Sequence, residues 1–341
     1  MRSDHNAGWR LRLRVGLFAV LPALLVIPLC LSAHAQSSAA IAVELDASVN
    51  GWMGQHHVNA ASLAAMKDGK IVKSFGYGGS EPDQPARIAS LSKAITAVCV
   101  ARLIDGGRLA FSAPLGTVLA SAFTKFGEPV DPRFKVVTIE QLLMHRSGFA
   151  REPKLDGAPP YDVAEGFMKA LATPLIADPG NKMSYSNVGY QTLGMVVETI
   201  TGASYERYCR SAALEPMQAS GSIDPLLRGR SPNGGWLVSA IDYAKFVQVF
   251  DSKTKVLGEV SRAWMDSRHE IPTYSLGTFM RRTARGVTYQ HDGKVALREG
   301  GGSYSIKFDN GWTTVVMFDG NHSTDVYLDL GRRLETAVVK R

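Results

Sequence analysis

The sequence predicts an α+β fold: one antiparallel sheet built from both ends of the chain, flanked by terminal helices, plus a mostly helical inserted lobe. Three observations predict it. Strand patterns occur at "ASLAAMKDGKIVKSFGYGG" and return only in the last quarter of the chain; helical patterns and loops fill about 112–225; and amphipathic helices open and close the folded part. The 341 residues, 45% hydrophobic and 20% charged, are enough for a large core.

The first segment reads as a separate object. "MRSDHNAGWRLRLR" supplies Arg10, Arg12 and Arg14, "VGLFAVLPALLVIPLCLSA" is uncharged and apolar, and Ala33-His34-Ala35 gives a small-x-small site before Gln36. That order is a secretory signal peptide over 1–35 with cleavage after Ala35, leaving 36–341 as the mature domain. Pro22 and Pro28 argue against a retained membrane anchor, so no span is expected after cleavage. Pro28 and Leu29 stand where lipid attachment at Cys30 would want small residues. The reading places the protein in a bacterial periplasm or outside the cell. Residues 1–35 hold four arginines and one aspartate, so their removal lowers the formal charge from +7 to +4. No basic block survives, which excludes a nucleic-acid partner. Cys99 and Cys209 both fall in apolar helical patterns and are expected as two separate core cysteines.

In order along the mature chain, "AIAVELDASVNGWM" is an amphipathic helix and Asp68-Gly69 is the turn between two strands. "ASLSKAITAVCVARLIDGG" is a core helix stopped by Gly106-Gly107. "TIEQLLMHRSGF" and "YQTLGMVVETITG" are helices, the second with Tyr190, Leu193, Val197 and Ile200 on one face. The helix in "NGGWLVSAIDYAKFVQVF" is capped by Ser239 with Asp242 three positions on. "YSLGTFMRRT", "GVTYQHDG", "GSYSIKF" and "WTTVVMF" each read as a strand, and "TDVYLDLGRRLETAVVK" as the terminal helix. The lobes then run over about 36–111 with 226–341, and about 112–225, and the cleft between them is the natural place for a site.

Lys93 is the residue out of place. A helix apolar nearly all round is buried, and an ammonium there is costly unless paired, so the lysine lowers its pKa and becomes a base near neutral pH. Ser90 projects from the same face three residues earlier, whereas Ser92 points elsewhere. Ser90 also stands at the helix start, where free N–H groups stabilise an oxyanion. "PGNKMSYSNVGY" adds Tyr185, able to relay a proton, and Asn187, whose amide can hold a substrate carbonyl and the lysine. "HDG" adds His291 and Gly293 at a strand end, where glycine admits close backbone approach and an edge N–H can complete an oxyanion hole.

Ser-x-x-Lys, Tyr-x-Asn and His-x-Gly in this order resemble the serine β-lactamase and penicillin-binding protein superfamily, in its class C β-lactamase, DD-peptidase and esterase branch. "RIASLSKAITA" resembles the nucleophile segment, "TIEQLLMHRSGF" the helix followed by His-x-Ser-Gly, and "MSYSNVGYQTLGMVVETITGASYERYCRSAALEPM" the second-motif region. "GGWLVSAIDYAKF" is similar to the segment that follows. The resemblance implies an acyl-enzyme at Ser90, proton transfers shared by Lys93 and Tyr185, substrate orientation by Asn187, and half an oxyanion hole from the Ser90 N–H. Two departures stand out. His291 replaces the Lys-Thr-Gly lysine usual in class C β-lactamases, which favours esterase or D-Ala-type peptidase action on a small-molecule or peptide substrate over β-lactamase activity. "REGGGSYS" also follows "HDG" later than the pattern leads one to expect.

Other readings are narrower. No Gly-x-Ser-x-Gly occurs, which excludes an α/β-hydrolase. His56-His57 lack a third ligand at sensible spacing and read as a surface loop, so neither metal nor cofactor is expected. A non-catalytic penicillin-binding sensor remains the rival from another class, and association with the cell wall stays open.

Overall fold

A computed structural model describes residues 26–153, 160–269, 273–295 and 297–339. Residues 1–25 of the expected signal segment 1–35 lie outside the described residues; helix α1 (Val26–His56) covers 26–35 and continues into the domain. No helix among the described residues is long and apolar enough to cross a membrane.

The strands are β1 (Ala61–Lys67), β2 (Lys70–Tyr77), β3 (Ala86–Arg87), β4 (Ser222–Ile223), β5 (Trp236–Val238), β6 (Thr273–Ser275), β7 (Thr278–Thr283), β8 (Gly286–Lys294), β9 (Gly302–Lys307) and β10 (Trp312–Phe318). Seven of them form one antiparallel sheet in the order β2-β1-β10-β9-β8-β7-β6, so the two ends of the chain meet at β1 and β10 as expected. The sheet is covered on both faces, which explains why β1 and β10 read as nearly continuous apolar runs. Leu63, Ala65, Val316 and Phe318 face α1 and the terminal helix Thr324–Val339. Ala64, Met66, Val315 and Met317 face the larger core around helix α2 (Ser92–Asp105). On α1 the buried stripe is Ile41, Leu45, Val49 and Trp52, at helical spacing. Trp52 Nε1 donates to the Val326 carbonyl at 2.9 Å, and His56 Nε2 lies 2.9 Å from Asp329 Oδ2. His56 is thus the end of a helix pinned to its neighbour rather than part of a surface loop.

Local signals held where they were local. Gly106 and Gly107 end α2, Ser239 accepts from Asp242 N at 3.0 Å, and Gly202 closes the Asn187–Thr201 helix in the left-handed region. "TIEQLLMHRSGF" forms only the short helix Ile139–Leu143, opened by a Thr138–Gln141 capping box.

Three expectations are corrected. "YSLGTFMRRT" is a hairpin, β6 and β7, whose two turn residues Leu276 and Gly277 have φ of 44° and 79°. That geometry is the tight turn whose twist suits paired strands, and the turn packs on α2: a Cβ on Gly277 would lie 2.4 Å from the Ala94 backbone. A second sheet, β3-β5-β4, was not anticipated. Finally, Cys99 and Cys209 are joined in a disulfide, their Cα atoms 5.3 Å apart. Cys99 is fully buried on α2, and the short helix Tyr205–Cys209 ends against that face, so proximity in space overrides a separation of 110 residues.

Candidate active site

Ser90 stands in a one-turn 3₁₀ segment, Ala89–Leu91, that leads into α2. Ala89 has φ of 45°, a strained value for a non-glycine residue, and the surroundings fix it. Ile88 N donates to the Trp236 carbonyl at 3.1 Å and the Ile88 carbonyl accepts from Ser303 Oγ at 2.8 Å. Gly293, paired with Ser303, leaves room for this turn: a Cβ there would lie 2.5 Å from the Ile88 oxygen. The turn's own hydrogen bonds come from Leu91 N and Ser92 N, which leaves the Ser90 N–H outside them. Ser92 points away, its Oγ accepting from Trp236 N at 3.2 Å.

Lys93 is completely buried. Its Nζ lies 3.2 Å from Ser90 Oγ and donates to the Asn233 carbonyl at 2.7 Å. Desolvation is the largest influence on the amine and brings its pKa down to about 7; Arg151 adds to this, while Glu152 and Asp292 oppose it. The result is an amine poised between its charged and free-base forms near neutral pH, next to a hydroxyl.

Tyr185 closes the group. Its ring lies 4.9 Å from Lys93 Nζ, and the Arg151 guanidinium rests over it at 5.2 Å. Burial pushes the phenol well above its ordinary pKa, while an interaction with Ser90 pulls the other way. The hydroxyl forms no well-made hydrogen bond among the described residues.

Asn187 is the first residue of its helix. Its Nδ2 donates to Glu152 Oε1 at 2.5 Å, and its Oδ1 is buried without a partner among the described residues. It does not hold Lys93; Asn233 does, through its backbone, while the Asn233 Nδ2 donates to Gln191 Oε1 at 3.1 Å.

His291 is buried with both ring nitrogens engaged. Nδ1 donates to the Asp292 carbonyl at 2.5 Å, since a carbonyl can only accept, and Nε2 accepts from Tyr274 Oη at 3.1 Å. Burial brings its pKa down to about 4, so the ring is neutral. The side chain of Asp292 is exposed, on the opposite strand face.

The backbone N–H left free at the edge of β8 is one residue beyond Gly293. Val295 N donates to the Gly301 carbonyl in line with β9. Backbone groups alternate sides along a strand, so Gly293 N–H also faces β9, and Lys294 N–H faces the other edge. β7 leaves that edge unpaired after Gln290. Ser90, Lys93 and Tyr185 are therefore brought together, with the His291 ring 6.0 Å from that of Tyr185 and Gly293 against the Ile88 carbonyl, and Asn233 and Lys294 join them through the backbone. Both additions act through backbone atoms, which carry no side-chain signature in a sequence.

Comparisons with known proteins show the family and the fold. Residues 45–338 match the family model described as Beta-lactamase. Protein flp of Staphylococcus aureus (strain MW2) is 26% identical over 189 residues, covering 51% of this chain and 36% of its own length. The chain thus spans about a third of that curated relative. Penicillin-binding protein 4 of Amycolatopsis lactamdurans is 26% identical over 335 residues, covering 82% of this chain and 86% of its own. The crystal structure of a β-lactamase/D-alanine carboxypeptidase from Pseudomonas syringae superposes with a TM-score of 0.71 at 14% identity, covering 88% of this chain and 99% of that one.

Proposed function

Because this chain belongs to the Beta-lactamase family of serine hydrolases, we propose that it forms an acyl-enzyme at Ser90 and hydrolyses carboxylic esters or amides, as an esterase or D-Ala-type peptidase. The observation that carries the reading is the buried Lys93 amine, 3.2 Å from Ser90 Oγ with its pKa near 7. Lys93 as free base takes the Ser90 proton while Oγ bonds to the substrate carbonyl carbon. The carbonyl oxygen becomes an oxyanion between the N–H groups of Ser90 and Lys294. Tyr185, a neutral phenol at rest, gives its proton to the departing alkoxide or amine and regains one from Lys93. Water then attacks the ester of Ser90 by the reverse transfers, releasing the acid and restoring the serine hydroxyl.

Export is part of the proposal. The basic, apolar and small-residue order of 1–35 supports it, and a disulfide between Cys99 and Cys209 suits an oxidising compartment. A β-lactamase reading has one observation of its own: the Arg151 guanidinium over Tyr185 offers a permanent cation to a carboxylate. The test is labelling with a fluorophosphonate followed by peptide mapping, together with turnover of p-nitrophenyl acetate. Label on Ser90 with turnover is the expected result. Label without turnover means a sensor, and neither means that the reading fails.

A further inference from the structure

We propose that His145 is the positioning residue of Tyr185, acting as a neutral imidazole whose Nδ1 serves as a fixed acceptor. The residue lies outside the three motifs, in the turn that follows the Ile139–Leu143 helix. It is completely buried, and its φ is 56°. Its carbonyl accepts from Ser184 N at 2.7 Å, and its Nδ1 accepts from Ser186 N at 3.0 Å. Both sequence neighbours of Tyr185 are therefore fastened to one residue. The imidazole also lies against the Tyr185 ring, centroids 4.2 Å apart, and is enclosed by Tyr274 at 4.5 Å and Tyr190 at 5.1 Å.

A backbone N–H only donates, so Nδ1 is unprotonated and the ring proton is on Nε2. Nε2 is buried and has no partner among the described residues. An apolar side chain would fill the same space without that cost, so what the imidazole contributes is the acceptor at Nδ1. A second proton would set N–H against N–H at Ser186. Burial above all disfavours the charged ring, and Lys93, His291 and Arg151 add to that. Tyr185 Oη has no well-formed hydrogen bond to hold it near Ser90, so its place depends on how residues 184–186 are held. His145 holds them from both sides.

The inference rests on Tyr185 as a proton relay, and Tyr185→Phe tests that separately. A silent Tyr185→Phe removes the reading beneath, whereas a crippled Tyr185→Phe beside an untouched His145→Leu overturns this inference alone. For p-nitrophenyl acetate, His145→Leu is expected to lower kcat by about 10²-fold, the scale of a 1 Å misplacement, with KM nearly unchanged. His145→Asn keeps an acceptor where Nδ1 was and tolerates positive φ, and is expected to recover about tenfold of that loss. Equal kcat in the two variants, both folded by thermal melting, overturns the proposal. Should His145→Leu fail to fold, imidazole ¹⁵N shifts of the wild-type protein decide. Nδ1 bare and Nε2 protonated from about pH 5 to pH 9 is expected, and a His145 that titrates in that range or carries its proton on Nδ1 refutes the inference.

Discussion

The amine of Lys93 is held 2.7 Å from the backbone carbonyl of Asn233, a residue 140 positions away, and not by the amide of Asn187. That bond and the 3.2 Å contact with Ser90 Oγ orient the lysine from two sides inside a helix otherwise buried in apolar side chains. A single hydrogen bond on a flexible four-carbon stem would leave the amine free to turn; two fix its distance to the hydroxyl.

Ser90→Ala is expected to abolish turnover and covalent labelling while the protein stays folded. Among the described residues the well-made hydrogen bond to Ser90 Oγ is the one from Lys93, beside the weaker interaction with Tyr185, so the melting temperature should barely move. Loss of a nucleophile of this kind runs to about 10⁴–10⁶ in kcat. Retained labelling and wild-type ester hydrolysis in Ser90→Ala would falsify the mechanism.

Lys93 and Tyr185 should behave as one unit. Each of Lys93→Ala and Tyr185→Phe should remove most activity, and the double variant should lose little more, because groups that pass the same proton are non-additive. Fully multiplicative losses in the double variant would show two independent roles.

The pH dependence follows from Lys93. Its folded pKa, about 7, lies below the ordinary 10.5. Below pH 7 the amine is charged and cannot accept the Ser90 proton, so kcat/KM should fall about tenfold per pH unit on the acid side. His291, with its pKa near 4, stays neutral through that range and adds no second limb above it. Stability moves the same way. Between about 7 and 10.5 the unfolded chain binds a proton that the folded one has released, so stability rises with pH across this window. Lys93→Met should flatten that rise in denaturant titrations, leaving the smaller contribution of Lys307, whose pKa burial also lowers. An activity profile flat from pH 6 to pH 8 would count against Lys93 as the base.

The disulfide gives a prediction about stability alone. It closes 110 residues of chain, and loop-closure entropy for such a length is about 4–5 kcal/mol. Reduction, or Cys99→Ser with Cys209→Ser, should lower the melting temperature by roughly 10 °C. Because both cysteines are buried, the check is alkylation in denaturant: the mature chain should resist it until reduced. Free thiols on the native, oxidised protein would restore the expectation of two separate cysteines.

What the sequence made legible was what neighbouring residues decide together. The Ser90–Lys93 spacing, the Asp68-Gly69 turn, the Ser239 cap and the Gly106-Gly107 stop each act over a few residues, and their chemistry shows in the letters. The Leu276-Gly277 turn was hidden because a leucine at positive φ is not a turn signal; only its packing on Ala94 explains it. The cysteines were misjudged because their pairing depends on how two distant helices cross. His145 was visible within "HRSGF", yet its two bonds around Tyr185 arise only when residues 145 and 184–186 meet in space.

The third motif decides among substrates. A lysine at that place would offer a permanent charge to the carboxylate of a penicillin or a D-Ala-terminated peptide. His291 cannot: it is buried, neutral, and has both nitrogens engaged by Asp292 and Tyr274. Losing one charge-assisted hydrogen bond costs about 1.5–3 kcal/mol, or roughly one to two orders of magnitude in affinity. Arg151 supplies a cation, but its side chain is exposed and screened by water, so it recovers only part of that loss. Short-chain esters should therefore be hydrolysed far better than penicillins or cephalosporins, and His291→Lys should shift the balance toward carboxylate-bearing substrates. Arg151→Ala should weaken carboxylate-bearing substrates more than neutral esters, which lose only its effect on Tyr185 and Lys93. The measurement is kcat/KM for a panel of p-nitrophenyl esters, a D-Ala-D-Ala peptide and nitrocefin. A wild-type value for nitrocefin above that for every ester would overturn the ester preference and place β-lactam hydrolysis first.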